Sequence, residues 1–312
     1  LKTKKEMIYV EKKFDNFLKR KIFKDKKSKK KYLYQIKLCV CGRKLENNSS
    51  SFFLKPFFYR KCKFCGTISV NPMINNQGLN LIYSERGIYN IYRKNFLEKK
   101  NKKTLRSKII NKRKVNQVMS LFKKKNFSVL DFGCGDGNFL FNLKDSGISD
   151  LVGVDSKYEN QERINKINFY NNLENIKKKF DIITLWGVLE HLNDPNNFID
   201  KIKLYLKKGG YLVMEFPSSD SLLMNYIRKN DFNPLRFIEK GRHLFFFSKR
   251  FIELFCKKKK FKIFYVETNG LDLQTIMGKS DKTNIKNILD IQEILDSNMM
   301  SDHFRVFLKK IN

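Results

Sequence analysis

The stretch Val129-Leu130-Asp131-Phe132-Gly133-Cys134-Gly135-Asp136-Gly137-Asn138-Phe139 decides the fold of this 312-residue chain. An apolar run ends in an acid, glycines follow at alternate positions, and a helical pattern of apolar residues begins at Phe139. This order predicts a strand, a glycine-rich turn and a helix. Such an arrangement places a small ligand against exposed backbone at the start of the helix.

The acid in this stretch indicates the charge of the ligand. A dinucleotide brings a pyrophosphate, which the carboxylate of Asp131 would repel. A ligand with a positive end and no phosphate suits the site, and S-adenosylmethionine has both an ammonium and a sulfonium group. A second acid, Asp155, follows Gly137 by 18 residues, close to the spacing at which a carboxylate accepts from ribose hydroxyls. Taken singly, either acid is also typical of a turn or helix cap.

Strands and helices alternate after this stretch, which predicts a parallel sheet covered on both faces, with the ligand at the carboxyl ends of the strands. One helix is expected to begin at Pro195 behind the cap Asp194 and to end at Gly209, with Tyr205 and Leu206 in its buried stripe. Another is capped by Ser248. The expected strands cover residues 128–132, 151–155, 180–186, 211–215, 261–266 and 304–308, and a last helix lies near 283–296.

The formal net charge of +34 has two explanations. It predicts attraction to polyanions such as RNA. However, only 13 of the 65 basic residues are arginine and alanine is absent, a composition typical of an AT-rich genome. We favour a solvated basic surface. The sequence shows neither a membrane span nor a secretory signal, so we expect a cytoplasmic protein.

Four of the six cysteines form two knuckles, Cys39-Val40-Cys41-Gly42 and Cys62-Lys63-Phe64-Cys65-Gly66. Four thiolates suit tetrahedral zinc, and a closed site of this kind is structural. The first knuckle has only one residue between its cysteines, a departure that leaves a lost or partial site open. The remaining cysteines, Cys134 and Cys256, are expected to pack as small apolar residues.

The chain from about residue 110 to its end resembles the class I S-adenosylmethionine-dependent methyltransferases. The resemblance is carried by the glycine-rich stretch and by Gly153-Val154-Asp155, Phe180-Asp181-Ile182-Ile183, Leu189-Glu190-His191-Leu192-Asn193-Asp194-Pro195 and Lys208-Gly209-Gly210-Tyr211-Leu212. It implies an α/β, doubly wound, Rossmann-like sheet of seven strands. The cofactor residues that it implies are Asp131, Gly133, Cys134, Gly135, Gly137, Asp155, Ser156, Asn172, Leu173 and Trp186.

Two of the three histidines are candidates for catalysis. His243, in Gly241-Arg242-His243-Leu244, matches an element where similar enzymes close over the acceptor, and we favour it as general base. His191 lies where the family has its reaction zone and sometimes a metal. Quinone O-methyltransferases carry a further acid a few residues earlier, and this chain has Trp186-Gly187-Val188 there. Buried structural histidines remain the alternative for both, and His303 is expected to be structural. Glu215 is a further candidate for touching the acceptor.

The N-terminal part resembles the zinc-ribbon lead-in of bacterial methyltransferases of sugar and natural-product biosynthesis, in which Asn71-Pro72 and then a tyrosine-rich segment containing Tyr83, Tyr89 and Tyr92 follow the second knuckle. We therefore expect a basic extension (1–37), a zinc-ribbon-like module (38–75), a helical linker (76–127) and a methyltransferase domain (128–312).

The predicted reaction is methyl transfer from S-adenosylmethionine to an oxygen or carbon atom of a small molecule, such as a nucleotide-linked sugar. Two alternatives stay open. One is an RNA methyltransferase that uses the basic surface, although the loop after Trp186 lacks the Asn/Asp-Pro-Pro-aromatic motif of enzymes that methylate base amino groups. The other is a non-catalytic protein that binds the cofactor.

Overall fold

A computed structural model describes residues 4–46, 51–84, 105–156, 158, 161–230, 234–277 and 285–311. Tyr89 and Tyr92 lie outside these residues. The strands are β1 (Leu33–Tyr34), β2 (Ser51–Leu54), β3 (Phe57–Lys61), β4 (Ile68–Asn71), β5 (Met73–Ile74), β6 (Val129–Phe132), β7 (Leu151–Val154), β8 (Gln161–Ile164), β9 (Ile167–Tyr170), β10 (Phe180–Trp186), β11 (Leu206–Pro217), β12 (Phe245–Phe246), β13 (Phe261–Asn269) and β14 (His303–Lys310).

The helices surround the sheets and lie between them in sequence. They are α1 (Lys4–Phe17), α2 (Lys26–Tyr32), α3 (Asn76–Tyr83), α4 (Leu105–Met119), α5 (Asn138–Asp145), α6 (Pro195–Lys203), α7 (Leu222–Lys229), α8 (Leu235–Ile238), α9 (Lys249–Lys259), α10 (Asp272–Met277) and α11 (Ile285–Ser297). A π-helical turn covers Leu18–Ile22 and a 3-10 turn covers Leu189–His191. Among the described helices, none has the length and apolar character needed to span a bilayer.

The large sheet has the order β13-β14-β11-β10-β6-β7-β9-β8. Its five central strands, from β9 to β11, run parallel. β14 pairs antiparallel with both β11 and β13, and β8 pairs antiparallel with β9. The predicted seven-stranded Rossmann-like sheet is therefore confirmed, and β8 adds an eighth strand through a hairpin with β9. Because the central strands are parallel, their carboxyl ends meet at one edge, where such sheets bind ligands.

The predicted helix caps are present, but one helix ends earlier than expected. Asp194 caps α6 by accepting from the Asn197 amide, and Ser248 caps α9 by accepting from the Phe251 amide. The prediction that Gly209 ends α6 is wrong. The helix ends at Lys203 because Leu206 already pairs with Phe180 in the sheet, where its side chain is buried.

The N-terminal part folds onto the large sheet. Its four-stranded sheet has the order β12-β4-β3-β2, so that a strand from residues 245–246 completes a sheet made by residues 51–71. Phe14, Leu18 and Ile22 of the leading helical segment are buried in the same hydrophobic core as the large sheet. The expected module and methyltransferase domain thus share a sheet and a core.

The junction between the two parts consists of aromatic residues. Phe246 lies 6.2 Å from Tyr59 and 5.3 Å from Phe237, measured between ring centroids. The backbone of the neighbouring Phe247 forms hydrogen bonds with Pro217, the last residue of β11, and with Ser219 just beyond it. Each buried phenylalanine contributes about 1.5–3 kcal/mol. This packing fixes the segment that carries His243 over the carboxyl edge of the large sheet.

Candidate active site

The glycine-rich turn after β6 exposes its backbone. Gly133, Gly135 and Gly137 have φ values of +73°, +52° and +71°, the left-handed region that favours glycine. A Cβ on Gly133 would lie 2.6 Å from the Val188 side chain, whereas one on Gly135 would meet no atom of the described residues within 4 Å. The turn is therefore packed on one side and has room for a ligand on the other.

Asp155 and the turn are joined directly. The amide of Gly135 donates to Asp155 Oδ2 over 3.0 Å, and the hydroxyl of Tyr158 donates to the Gly135 carbonyl over 3.0 Å. The amides of Gly133 and Cys134 both donate to the carbonyl of Val154. Asp155 is the first residue after β7, and the exposed Ser156 follows it. The structure thus brings the acid of β7 to the turn of β6, as the spacing predicted.

Asp131 lies within β6 rather than in the turn. Its side chain is buried and accepts from the Thr184 hydroxyl over 2.6 Å. Burial raises the pKa of Asp131 to about 7, while the Thr184 bond and the charge of Lys114 oppose that rise. A cation next to this carboxyl group would favour its ionised form.

The predicted adenine residues follow β9, the neighbour of β7. Leu173 accepts a bond from Tyr205 through its carbonyl over 3.1 Å, and the Asn172 side chain accepts from the Glu174 amide over 2.9 Å. Cys134 is half-buried, and a Cβ added to Gly153 would lie 2.9 Å from its sulfur. All of the predicted cofactor residues apart from Trp186 therefore border the carboxyl ends of β6, β7 and β9.

Trp186, at the end of β10, lies on the other side of the turn. Its ring is 5.2 Å from that of Phe139, and Lys114 Nζ lies 4.4 Å above it. Among the described residues, the buried Nε1 atom of Trp186 has no hydrogen-bond partner.

A buried ion network beneath Trp186 was not predicted from the sequence. Arg305 binds Glu215 through Nε at 2.9 Å and Glu267 through a terminal nitrogen at 3.0 Å. Lys114 pairs with the other oxygen of Glu215 at 2.8 Å. Burial opposes ionisation of Glu215, but Lys114 and Arg305 lower its pKa to about 2. Glu215 is thus held by two cations and is a poor base, and its contact with the acceptor stays a prediction. The sequence contains one signal of this network, an arginine inside the apolar strand Phe304-Arg305-Val306-Phe307.

The two candidate catalytic histidines lie side by side, with ring centroids 4.9 Å apart. His191 Nδ1 is 2.9 Å from the Arg242 carbonyl and 3.1 Å from the Tyr83 hydroxyl, and His243 Nδ1 is 2.8 Å from the Phe237 carbonyl. Burial lowers the pKa of His243 to about 3. His243 is therefore neutral at physiological pH, and the half-buried His191 is the more accessible of the two.

Glu190 completes this cluster. Its side chain is 2 % exposed, and burial raises its pKa. The Leu244 amide donates to the Glu190 carbonyl over 2.7 Å, which joins the 3-10 turn to the segment of His243. The third histidine, His303, pairs through Nδ1 with Asp302 at 2.6 Å, and its charge also acts on Glu190 and His243. Sequence reasoning did not assign a role to Glu190.

The four clustered cysteines converge despite the short first knuckle. Their sulfurs all lie within 4.8 Å of one another, with Cys39 and Cys65 at 3.5 Å and Cys41 and Cys62 at 3.8 Å. These separations match the edges of a tetrahedron with zinc–sulfur bonds of about 2.3 Å. The Cys39 thiol donates to Cys65 and lowers its pKa to about 5, whereas burial raises the pKa of Cys41 to about 11. The cluster is compatible with a closed, structural zinc site.

The zinc knuckles also touch the carboxyl edge of the large sheet. The Ser219 hydroxyl donates to the Gly66 carbonyl over 3.0 Å, and the Ser248 hydroxyl donates to the Cys65 carbonyl. Because Ser219 follows β11 and Ser248 caps α9, the second knuckle is joined to the end of β11 and to the start of α9.

Comparisons with known proteins extend these observations. A family model described as "Methyltransferase domain" matches residues 95–266, more than half of the chain. A tRNA U34 carboxymethyltransferase of Pseudoalteromonas translucida is 32% identical over 103 residues, which cover 29% of this chain and 32% of that protein. A ubiquinone biosynthesis O-methyltransferase of Pelagibacter ubique is 32% identical over 115 residues, which cover 33% of this chain and 46% of that protein. The chain thus spans about a third to a half of the length of these relatives.

Solved structures include a SAM-dependent methyltransferase from Archaeoglobus fulgidus. It is 21% identical in sequence, with a TM-score of 0.45, and the match covers 69% of this chain and 99% of that one.

Proposed function

The chain belongs to the class I S-adenosylmethionine-dependent methyltransferases, and we propose that it transfers a methyl group to an oxygen or carbon atom of a small molecule in the cytoplasm. The observation that carries the proposal is the junction of the Gly135 turn with Asp155 beside open space. A nucleotide-linked sugar or another precursor of polysaccharides or natural products is the proposed class of acceptor.

The residues at the turn fit this cofactor. Gly133, Gly135 and Gly137 would line its methionine and ribose region, Asp155 would accept from the ribose hydroxyls, and Asp131 would face the ammonium group. Asn172 and Leu173 would border the adenine, and Trp186 would form the floor of the cofactor pocket. The cofactor supplies a methyl group that its positive sulfur already makes electrophilic.

The chain must also position the acceptor and remove the proton that the acceptor loses. We assign both tasks to His191 and His243, whose rings lie side by side. His191 follows Val188 by three residues, and Val188 packs against Gly133 of the glycine-rich turn. His191 is the half-buried, more accessible histidine of the pair, whereas the buried His243 resists protonation. Tyr83 holds His191 in place from the N-terminal part of the chain.

RNA is the second candidate acceptor. The net charge of +34 favours it, as do the relatives named tRNA U34 carboxymethyltransferase. Against it, no Asn/Asp-Pro-Pro-aromatic motif follows Trp186, although that motif belongs to methylation of amino groups only.

Labelled S-adenosylmethionine, incubated with small-molecule extract or with total RNA, separates these candidates. We expect label in the small-molecule fraction, with turnover that changes less than about twofold as salt rises. Label in RNA, with binding that weakens by about 10³-fold or more between low and physiological salt, would favour the alternative. If no extract yields S-adenosylhomocysteine, the chain binds the cofactor without catalysis and the proposal is wrong.

A further inference from the structure

Glu190, His191 and His243 form a second cluster with the composition of a metal site. One ring nitrogen from each histidine and one oxygen of Glu190 lie within 4.8 Å of one another. Two imidazoles and one carboxylate are a ligand set for divalent transition ions such as iron and zinc.

Backbone carbonyls fix both imidazoles in the form that binds a metal. His243 Nδ1 lies 2.8 Å from the Phe237 carbonyl, and His191 Nδ1 lies 2.9 Å from the Arg242 carbonyl. Since a carbonyl only accepts, each Nδ1 carries the hydrogen, and each Nε2 keeps its lone pair. Metal-binding histidines almost always have such an outer partner, which sets the tautomer and the orientation of the ring.

One oxygen of the Glu190 carboxylate lacks a hydrogen-bond partner in the part of the chain that the structure describes. The residue is 2 % exposed, and its Oε2 atom is buried with no hydrogen-bond donor there. An unpaired buried carboxylate oxygen costs about 1–3 kcal/mol or more. A cation bound between Glu190 and the two imidazoles would remove this cost.

The cluster differs from the cysteine site in two respects. It has three ligands rather than four, so a bound ion keeps positions for an oxygen of the acceptor or for water, as catalytic sites do. It also adjoins the cofactor region, because Val188, two residues before Glu190, packs against Gly133. The third ligand, His243, comes from the segment that enters α9 and not from a further acid before Glu190.

We propose that Glu190, His191 and His243 bind a divalent first-row transition ion that holds the acceptor oxygen next to the cofactor site. In this arrangement the ion, rather than a free imidazole, promotes loss of the acceptor proton, which passes to water. The role in catalysis rests on the proposed methyl transfer, whereas binding of the ion does not.

Cobalt(II) is the probe, because it reports the atoms that bind it. Full-length protein is stripped with a chelator and titrated with Co²⁺. We expect two bound ions, one with the strong thiolate-to-cobalt charge-transfer bands of the cysteine site and one with only weak d–d bands. Cys62→Ser should remove the thiolate bands, which assigns them to the cysteine site.

Glu190→Gln and His191→Ala should weaken the second ion at least about 100-fold, whereas His303→Asn, the matched histidine control, should keep it. The thiolate bands and S-adenosylhomocysteine affinity report whether each variant is folded, and the half-buried His191 provides a variant that disturbs the core less than Glu190 does. A wild-type protein that binds only the thiolate-held ion overturns the proposal, and so does a second ion that persists in both variants. A second ion without methyl transfer to any acceptor would instead overturn the proposed function alone.

Discussion

The cofactor side and the acceptor side of the site are built in different ways. On the cofactor side, Asp131, the Gly135 turn, Asp155 and Asn172 come from one continuous stretch of about 40 residues and meet through the register of adjacent parallel strands. On the proposed acceptor side, Tyr83, His191 and Arg242 come from three distant segments of the chain. The segment that contains Arg242 runs into β12, which joins the N-terminal sheet. The first side therefore depends on local sequence, and the second depends on how the zinc-ribbon-like part docks.

The largest effect should follow from loss of the cysteine site. Cys62→Ser removes one of four thiolates, and structural zinc contributes about 10 kcal/mol or more to the folding of small modules. Because Gly66 and Cys65 hold Ser219 and Ser248, we expect acceptor-dependent turnover to fall at least about 100-fold. Affinity for S-adenosylhomocysteine, measured by calorimetry, should change less than about twofold.

Cys256→Ala is the matched control for this prediction. It removes a buried thiol outside the cluster and should cost about 1 kcal/mol of stability while turnover is retained. A parallel loss of cofactor affinity and turnover in Cys62→Ser would contradict the independence of the two sides.

An intermediate effect, confined to the cofactor side, is expected for Asp131→Asn. Burial raises the pKa of Asp131 from its unfolded value near about 3.9 to about 7, so the folded state holds the proton more tightly. The free energy of unfolding of the wild type therefore falls as pH rises from about 4 to about 7. In Asp131→Asn the side-chain amide does not ionise, so this fall is absent. At pH about 8 the variant should gain about 1–3 kcal/mol in free energy of unfolding, yet bind the cofactor about 10–100-fold more weakly.

Denaturant unfolding at two pH values and calorimetry measure both quantities. Asp150→Asn, which changes an exposed carboxylate paired with Lys178, should change neither. If Asp131→Asn bound the cofactor as tightly as the wild type at pH about 8, Asp131 would not be a cofactor-binding residue.

The smallest effect should come from paired tyrosine variants. Tyr83→Phe removes a hydroxyl 3.1 Å from His191 Nδ1, a bond of about 1 kcal/mol, so turnover should fall a few-fold with cofactor affinity unchanged. Tyr205→Phe removes the bond to the Leu173 carbonyl and should lower cofactor affinity by a similar factor without changing the turnover of the saturated enzyme. If Tyr83→Phe and Tyr205→Phe changed turnover and cofactor affinity equally, the proposed separation of an acceptor side from a cofactor side would be contradicted.

The fold and the cofactor side could be predicted because their signals are short-range. The alternate glycines, the acid 18 residues beyond Gly137 and the caps Asp194 and Ser248 each act within one turn or one strand pair. The acceptor side could not be predicted in the same way. Glu190 acquires its unpaired oxygen, and Glu215 its two cations, only from the packing of segments far apart in the chain. The end of α6 was missed because pairing of Leu206 with β10 outweighs the glycine signal at Gly209.

Calorimetry of S-adenosylhomocysteine binding to the wild type and to Asp155→Ala, with Asp150→Ala as control, tests the cofactor site most directly. Hydrogen bonds to a charged carboxylate are worth about 1.5–3 kcal/mol each, so loss of Asp155 should weaken binding about 30-fold or more while the control binds like the wild type. Equal affinity of the wild type and Asp155→Ala would contradict the placement of the cofactor between the Gly135 turn and β7.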